Sequence, residues 1–472
     1  MTRFSLTTLF LSLFFLNTLG QSNDESRNKM AFYSNNFQLS MYNNIDSSLY
    51  FIRLIAANPA YSTNLRDCLH NKFAGLFDKI YEGSTIGIDA YKILEVMVAD
   101  SNEKLVNSAK PLYYWAKVQR SSNDNNELVK LTNAFIETEL SKDIYNNRAG
   151  RYALLIYQVI FQKKELNELA ERLLSTTIKK IKSNLSYPDS LSEPLLRKKV
   201  WFKYLYAYAN SIKADNYMKL HQEKRAGKYY KIASEYSPDI SDKQYIEEYA
   251  FDKYLLTMYF RPQKFEHYGY MEDYFEDDYL SFLTKHSKNN KKVLATLQSM
   301  AITDPTKYKE KLKSFYELNY PGQEPFNSFW TKSINKNLKP VIDFSIKQMD
   351  GKVFLTKDIS GKWALIDFWG TWCGPCRAEH PDLQKLYQAF VPKDTVNFIF
   401  LTIACYDDES KVKSYVKENN YSFPVAMADT KILKLYNVTS FPFKVLITPQ
   451  GKYLIVPFGI DWVDFIKQYV NL

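Results

Sequence analysis

Cys373 and Cys376 are separated by Gly374-Pro375, at the end of the apolar run Trp363-Ala364-Leu365-Ile366-Asp367-Phe368-Trp369 and just before a helical pattern, Leu383 to Phe390. Two thiols at this spacing can open and close a disulfide. The thiolate is the nucleophile in such exchange, so one cysteine must lose its proton near neutral pH. A helix N-terminus favours that loss, because unpaired N–H groups and the positive end of the helix dipole face the sulfur. Cys373 is therefore expected to be the exposed attacking thiol. Cys376, one helical turn further and more buried, is expected to resolve the mixed disulfide and release the substrate. Gly374-Pro375 sets the turn, and proline removes a donor where the helix would leave it unpaired anyway.

The elements that position this pair follow from hydrophobic periodicity. Val341 to Ile346 and Val353 to Leu355, around the turn Asp350-Gly351, predict a β-hairpin. The nearly continuous apolar run Trp363 to Trp369 predicts a central strand. After the helix come a strand ending near Ala404, a helix through Val412 to Val416, a short strand from Phe423 to Met427 and a helix near Ile432 to Tyr436. Val445 to Ile447 and Tyr453 to Val456, joined by Pro449-Gln450-Gly451, predict a final hairpin, and Trp462 to Val470 a closing helix. Such alternation implies an α/β domain with some parallel strands.

Trp372-Cys373-Gly374-Pro375-Cys376 is the thioredoxin active-site pentapeptide, and the surrounding segment resembles the TlpA and ResA type of envelope thioredoxins. The opening hairpin, the extra helix and strand from Asp407 to Val425, and Glu379 three residues after the second cysteine all match that type. The resemblance implies a thioredoxin fold over the last quarter of the chain, with Asp367 at the buried aspartate position of thioredoxins. Burial would raise the pKa of Asp367 and let it accept the proton of Cys376. Glu379 is its companion carboxylate, or else a first-turn residue complementing the helix dipole. The resemblance also places Pro442 opposite the cysteines in a cis peptide bond. Beside it, Phe441 and Trp372 would bind an extended substrate segment by strand addition. No cofactor and no metal is implied.

Upstream, from about Asn28 to Ser333, apolar and aromatic residues recur at threes and fours, and alternating strand patterns are scarce. With 37 Tyr and 31 Phe against only 14 Gly, the composition favours helices packed through aromatic side chains. Asn58-Pro59, Tyr187-Pro188-Asp189, Ser237-Pro238-Asp239 and Asp304-Pro305 mark helix boundaries. Ala226, Tyr230, Ala233 and Pro238, with Ala214 and Tyr217 before them, fit one tetratricopeptide-like helix pair. The fold class expected is thus α + α/β, an all-helical, tetratricopeptide-like domain followed by a C-terminal thioredoxin fold. The divisions are a signal peptide over 1–20, a helical domain over 21–333, a linker over 334–340 and the thioredoxin-like domain over 341–472.

The N-terminal expectation rests on Arg3, the apolar stretch Phe4 to Leu19, and the polar turn after Gly20, which is the order of a secretory signal. No later stretch is long and apolar enough to span a bilayer. In an exported protein the remaining Cys68 and Cys405 are too few for a disulfide scaffold. Cys405, at the end of an apolar strand, is expected to be a buried inert thiol, and no spacing supports a bridge to Cys68. The net charge of +10 is spread out, with no basic run that would suit nucleic acid. The acidic run Glu272 to Asp278 lacks the glycine and spacing of a calcium loop, and His70, His221, His267 and His286 form no ligand pair.

These features point to an exported thiol-disulfide oxidoreductase of the periplasm or cell envelope. Its partners would be disulfide-containing proteins and a membrane thiol electron donor. A helical interaction protein with the thioredoxin domain as docking module, and a disulfide-forming oxidase, are the alternatives. The Gly-Pro dipeptide leans toward reduction, because the intervening pair tunes thiolate stability and hence potential. Peroxide reduction is disfavoured by the Cys-Gly-Pro-Cys loop.

Overall fold

The computed structural model describes residues 21–77, 90–188, 191–262, 275–336, 338–390 and 398–470. The signal-like residues 1–20, His267 and the start of the acidic run lie outside them. The chain divides into two compact units, Met1–Leu191 with Ala250–Met271, and Ser192–Tyr249 with Glu272–Leu472.

Among its described residues the first unit is helical. It contains α1 (Gln21–Ser40), α2 (Ile45–Ala57), α3 (Ser62–Asp67), α4 (Ala90–Val98), α5 (Glu103–Arg120), α6 (Asn125–Thr138), α7 (Ala149–Phe161), α8 (Asn167–Lys182) and α11 (Ala250–Phe260). Helix α2 stops before Asn58-Pro59, as the pre-proline restriction requires, and Asn58 then caps a short turn through the N–H of Ala60. The aromatic excess goes into the core. Trp115 packs on Tyr152 and Tyr259, and Tyr157 stacks on Phe161 and Phe260. Cys68 is buried and free in this unit.

The second unit joins helices to a sheet. Its helices before the sheet are α9 (Glu193–Lys219), α10 (Glu223–Glu235), α12 (Phe275–His286), α13 (Asn290–Thr303), α14 (Pro305–Asn319) and α15 (Phe326–Asn335). Helices α9 and α10 pair with Ala214, Ala226 and Ala233 fully buried, while Tyr230 hydrogen-bonds Asp215 at 2.6 Å and packs on Phe282. Small residues let the helices approach, and the aromatic ring fills the space beside them. Asp304 caps α14 through the N–H of Lys307, with Pro305 at the first helical position.

The six-stranded sheet has the order β1-β8-β7-β4-β5-β6. These strands are β1 (Lys339–Pro340), β4 (Trp363–Trp369), β5 (Phe398–Ala404), β6 (Val425–Met427), β7 (Phe443–Ile447) and β8 (Lys452–Val456). Strands β4, β5 and β6 run parallel, and β7 is antiparallel to both β4 and β8. The helices among them are α16 (Gly374–Phe390), α17 (Glu409–Glu418), α18 (Thr430–Leu435) and α19 (Trp462–Val470). This is a thioredoxin fold behind a helical region.

The opening hairpin is shorter than the periodicity predicts. Only β2 (Ser345–Lys347) pairs with β3 (Val353–Leu355), as a separate two-stranded sheet. Phe344 bonds Thr356 instead, through its N–H to the hydroxyl and its carbonyl to the Thr356 N–H, which turns the chain out of the strand.

Alternation along β4 divides its side chains between two cores. Ala364, Ile366 and Phe368 face a core that also holds Ile403, Val445 and Tyr436. Leu365 and Trp369 face the other, which takes in Cys373, Cys376, Leu383, Phe465 and Ile466 and continues into Leu297, Leu312, Tyr316 and Trp330 of α13 to α15. Among the described residues no helix is long and apolar enough to cross a membrane.

Candidate active site

Strand β4 is central and apolar, so its C-terminal end is fixed, and the chain leaves it through Gly370-Thr371-Trp372 into α16. Asp407 holds that turn. Its carboxylate accepts the Thr371 N–H at 2.5 Å and the Thr371 hydroxyl at 2.9 Å. Trp372 is 54% exposed, yet its indole N–H is tied to the carbonyl of Cys405 at 3.1 Å. A Cβ on Gly370 would lie 2.5 Å from that indole nitrogen, so glycine is what leaves room for the ring.

Cys373 and Cys376 form a disulfide, with Cys373 immediately before the first residue of α16. The Cys376 N–H points at the Cys373 sulfur, 3.2 Å away. An unpaired helix donor aimed at sulfur is the geometry that stabilises a thiolate once the bond is reduced. Cys373 was expected to be exposed, but in the disulfide it keeps only 5% accessibility, against 1% for Cys376. The order of burial is the expected one and the margin is small, while Gly374 and Pro375 between the cysteines are exposed.

The Phe441–Pro442 peptide bond is cis. Phe441 meets the Trp372 ring edge to face at 5.4 Å, and the exposed Tyr406 meets Phe441 in the same way at 6.1 Å. Trp372, Phe441 and Tyr406 thus form an aromatic rim beside the disulfide.

Asp367 is 2% exposed, on the same face of β4 as Leu365 and Trp369. The sequence reading gives this buried acid a companion carboxylate, Glu379, but no cation. Lys444 of β7 stands directly opposite in the antiparallel register, and its Nζ lies 3.0 Å from the Asp367 carboxylate. The same ammonium hydrogen-bonds Glu379, one turn past Cys376 on α16, and sits over the Trp462 ring of α19 at 4.8 Å. Burial opposes the charge on Lys444, but the two carboxylates outweigh it and hold the ammonium above its ordinary range. Burial raises Glu379 above the usual carboxylate range, against the attraction of Lys444. Among the described residues no group of side chains is arranged to hold a metal ion.

A family model described as the AhpC/TSA family matches residues 338–459. The thiol-disulfide oxidoreductase ResA of Bacillus cereus is 35% identical over 134 residues, 28% of this chain and 76% of that protein. The chain belongs to the AhpC/TSA family. ResA of Bacillus subtilis is 30% identical over 28% of this chain and 72% of its own length. A solved thioredoxin family thiol:disulfide interchange protein from Chlorobium tepidum is 27% identical, covering 29% of this chain and 96% of its own, with a TM-score of 0.26. Within the family, the chain is a thiol-disulfide oxidoreductase of the ResA and thioredoxin type.

The AhpC/TSA domain thus places Cys373, Cys376 and Trp372 after the C-terminal end of β4, with Phe441 against the Trp372 ring and Pro442 next in the chain, and joins Asp367 to Glu379 through Lys444. Sequence reasoning missed Lys444, Tyr406, Asp407 and His380. Lys444 had a signal, a lone cation in the apolar run Phe443 to Ile447. Cys405 is buried and free, and burial pushes its thiol up to about 12, so it is inert at neutral pH.

Proposed function

We propose that this protein is an exported enzyme that reduces or exchanges disulfides of envelope proteins through a mixed disulfide on Cys373. The reading is carried by the Cys373–Cys376 disulfide at the N-terminus of α16, with a helix N–H directed at the Cys373 sulfur. In the reduced state the Cys373 thiolate attacks a substrate disulfide, and Cys376 then displaces the substrate thiol and regenerates the internal bond. The cis-Pro442 edge and the rim of Trp372 and Phe441 receive the substrate segment. Export is supported by the Arg3, Phe4 to Leu19, Gly20 order, and a membrane thiol donor would return the electrons. The tetratricopeptide-like helices select or position partners.

Trapping tests this directly. Cys376→Ala leaves Cys373 without its resolving thiol, so covalent adducts should accumulate in envelope extracts and disappear on treatment with dithiothreitol. An absence of adducts, with no reduction of insulin disulfides by the wild-type protein, would refute the proposal. A reduction potential near that of strong oxidants would instead favour disulfide formation.

A further inference from the structure

We infer that Tyr406 contacts the substrate and sets its specificity, selecting disulfides in which a cysteine is flanked by an aromatic or large aliphatic side chain. The inference rests on the disulfide exchange proposed above and names a substrate class for that site. Tyr406 lies on the loop after β5, apart from both the cysteine turn and the cis-proline loop.

Tyr406 has a φ of 50°, in the left-handed region that strains residues other than Gly, Asn and Asp. The other non-glycine residues with positive φ, among those described, sit at helix ends. His221, Asn420 and Asn437 follow the C-caps of α9, α17 and α18, and Arg148 precedes α7. Tyr406 closes no helix. It is held by its neighbours, which are both tied to the segment that leads into Cys373. The Cys405 N–H bonds the Trp369 carbonyl at 2.7 Å, and the Cys405 carbonyl accepts the Trp372 indole N–H. On the other side, the Asp407 carboxylate accepts the N–H and hydroxyl of Thr371. Strain held in place by a reactive site points to a role at that site.

The ring itself does little for the fold. Tyr406 is 70% exposed, and asparagine or glycine would take the same backbone with less strain. It stands edge to face with Phe441, which in turn meets Trp372, so rings from three loops line up and the outer two are exposed. Exposed rings next to a reactive sulfur offer apolar area to the side chain beside a substrate cysteine. The acidic side chains that follow Tyr406 are engaged elsewhere: Asp407 with Thr371, Asp408 as the N-cap of α17, and Glu409 with Lys413. The rim therefore selects for apolar area and not for a cation. In the exchange step the Cys373 thiolate bonds one substrate sulfur, and the substrate S–S bond breaks with its electron pair leaving on the other sulfur. The residue beside the bonded cysteine is then held against Tyr406 and Phe441.

Cystine peptides that differ only in the residue beside one cysteine, Phe, Ser or Lys, test this on the full-length protein. The wild type should reduce the Phe peptide with a kcat/KM about threefold to tenfold above that for the Ser peptide, the range of one aromatic contact, with the difference in KM. Tyr406→Asn removes the ring and keeps a residue that accepts left-handed φ. It should bring the ratio of the two peptides to about one, through loss on the Phe peptide, and melt no lower than the wild type. Tyr406→Phe should keep the preference. A ring that serves only the fold would lower the melting temperature of Tyr406→Asn and leave the ratio where it is. That result, or a Lys peptide preferred to the Phe peptide, would overturn the assignment. Mixed disulfides of Cys376→Ala with each peptide, equilibrated against glutathione, give the same comparison without turnover. Should the wild type reduce none of the peptides, the proposed reduction falls, and these equilibria still decide the role of Tyr406, since the Phe peptide should be favoured only while that ring is present.

Discussion

His380 is enclosed by Trp369, Tyr415, Tyr421 and Phe423, and its Nδ1 is 2.9 Å from the Tyr415 hydroxyl. Burial lowers its pKa from 6.5 to about 4, so the ring is neutral at physiological pH. Between those values the unfolded chain binds a proton that the folded chain refuses. Stability therefore rises with pH across this window and is lost as pH falls from 6.5 toward 4, by about 3 kcal/mol at the limit. His380→Phe should flatten this dependence, read from urea midpoints at pH 5 and pH 7. An unchanged slope would show that other groups set the acid sensitivity. The sequence displayed His380 only as the residue after Glu379, since nothing in the local pattern reveals an aromatic cage drawn from β4, α17 and the loop before β6.

At the scale of elements, the link between β4 and α16 carries the site, and its parts are separable. Gly370→Ala would drive a Cβ against Trp372 and detach the indole from the Cys405 carbonyl. Trp372 is exposed and the bond lost is worth about 1 kcal/mol, so thermal stability should change little. Disulfide exchange should fall several-fold while Trp fluorescence shifts. A large loss of stability with normal exchange would contradict this account. Asp407→Ala removes the acceptor for both the Thr371 N–H and hydroxyl, and should cost about 1–3 kcal/mol. Paired chemical denaturation curves measure that loss. The strands and helices themselves were largely legible. Strand β4 and helix α19 fall on Trp363–Trp369 and Trp462–Val470, because a strong apolar pattern of fixed period leaves one face to bury. The opening hairpin was less legible, because a side-chain bond from Thr356 competes with the ladder at Phe344.

In the second unit as a whole, the thioredoxin fold is not an isolated module. Helix α19 packs on α14 and α15, where Trp330 lies 5.9 Å from Tyr469. The Tyr469 hydroxyl bonds the Ile302 carbonyl, and Lys309 bonds the Gln468 carbonyl. Trp330 is fully buried, so Trp330→Ala should destabilise this unit by about 3–5 kcal/mol. Circular dichroism and active-site tryptophan fluorescence should then shift together to a lower urea midpoint. A shift in the helical signal alone would mean that the sheet folds independently of α13 to α15.

The chemistry was written in local residues. Two cysteines around Gly-Pro, an apolar strand before them and a helix after them suffice to define a dithiol site, since spacing and periodicity act over a few residues. The helical character of the first three hundred residues was legible for the same reason. Tertiary structure alone decided how the charges meet. Asp367 and Glu379 come from the consecutive β4 and α16, but Lys444 lies 65 residues beyond Glu379, and only the antiparallel register of β4 with β7 sets the ammonium between the carboxylates. Burial and pairing set protonation there, and neither exists until the sheet and α16 have closed over the site.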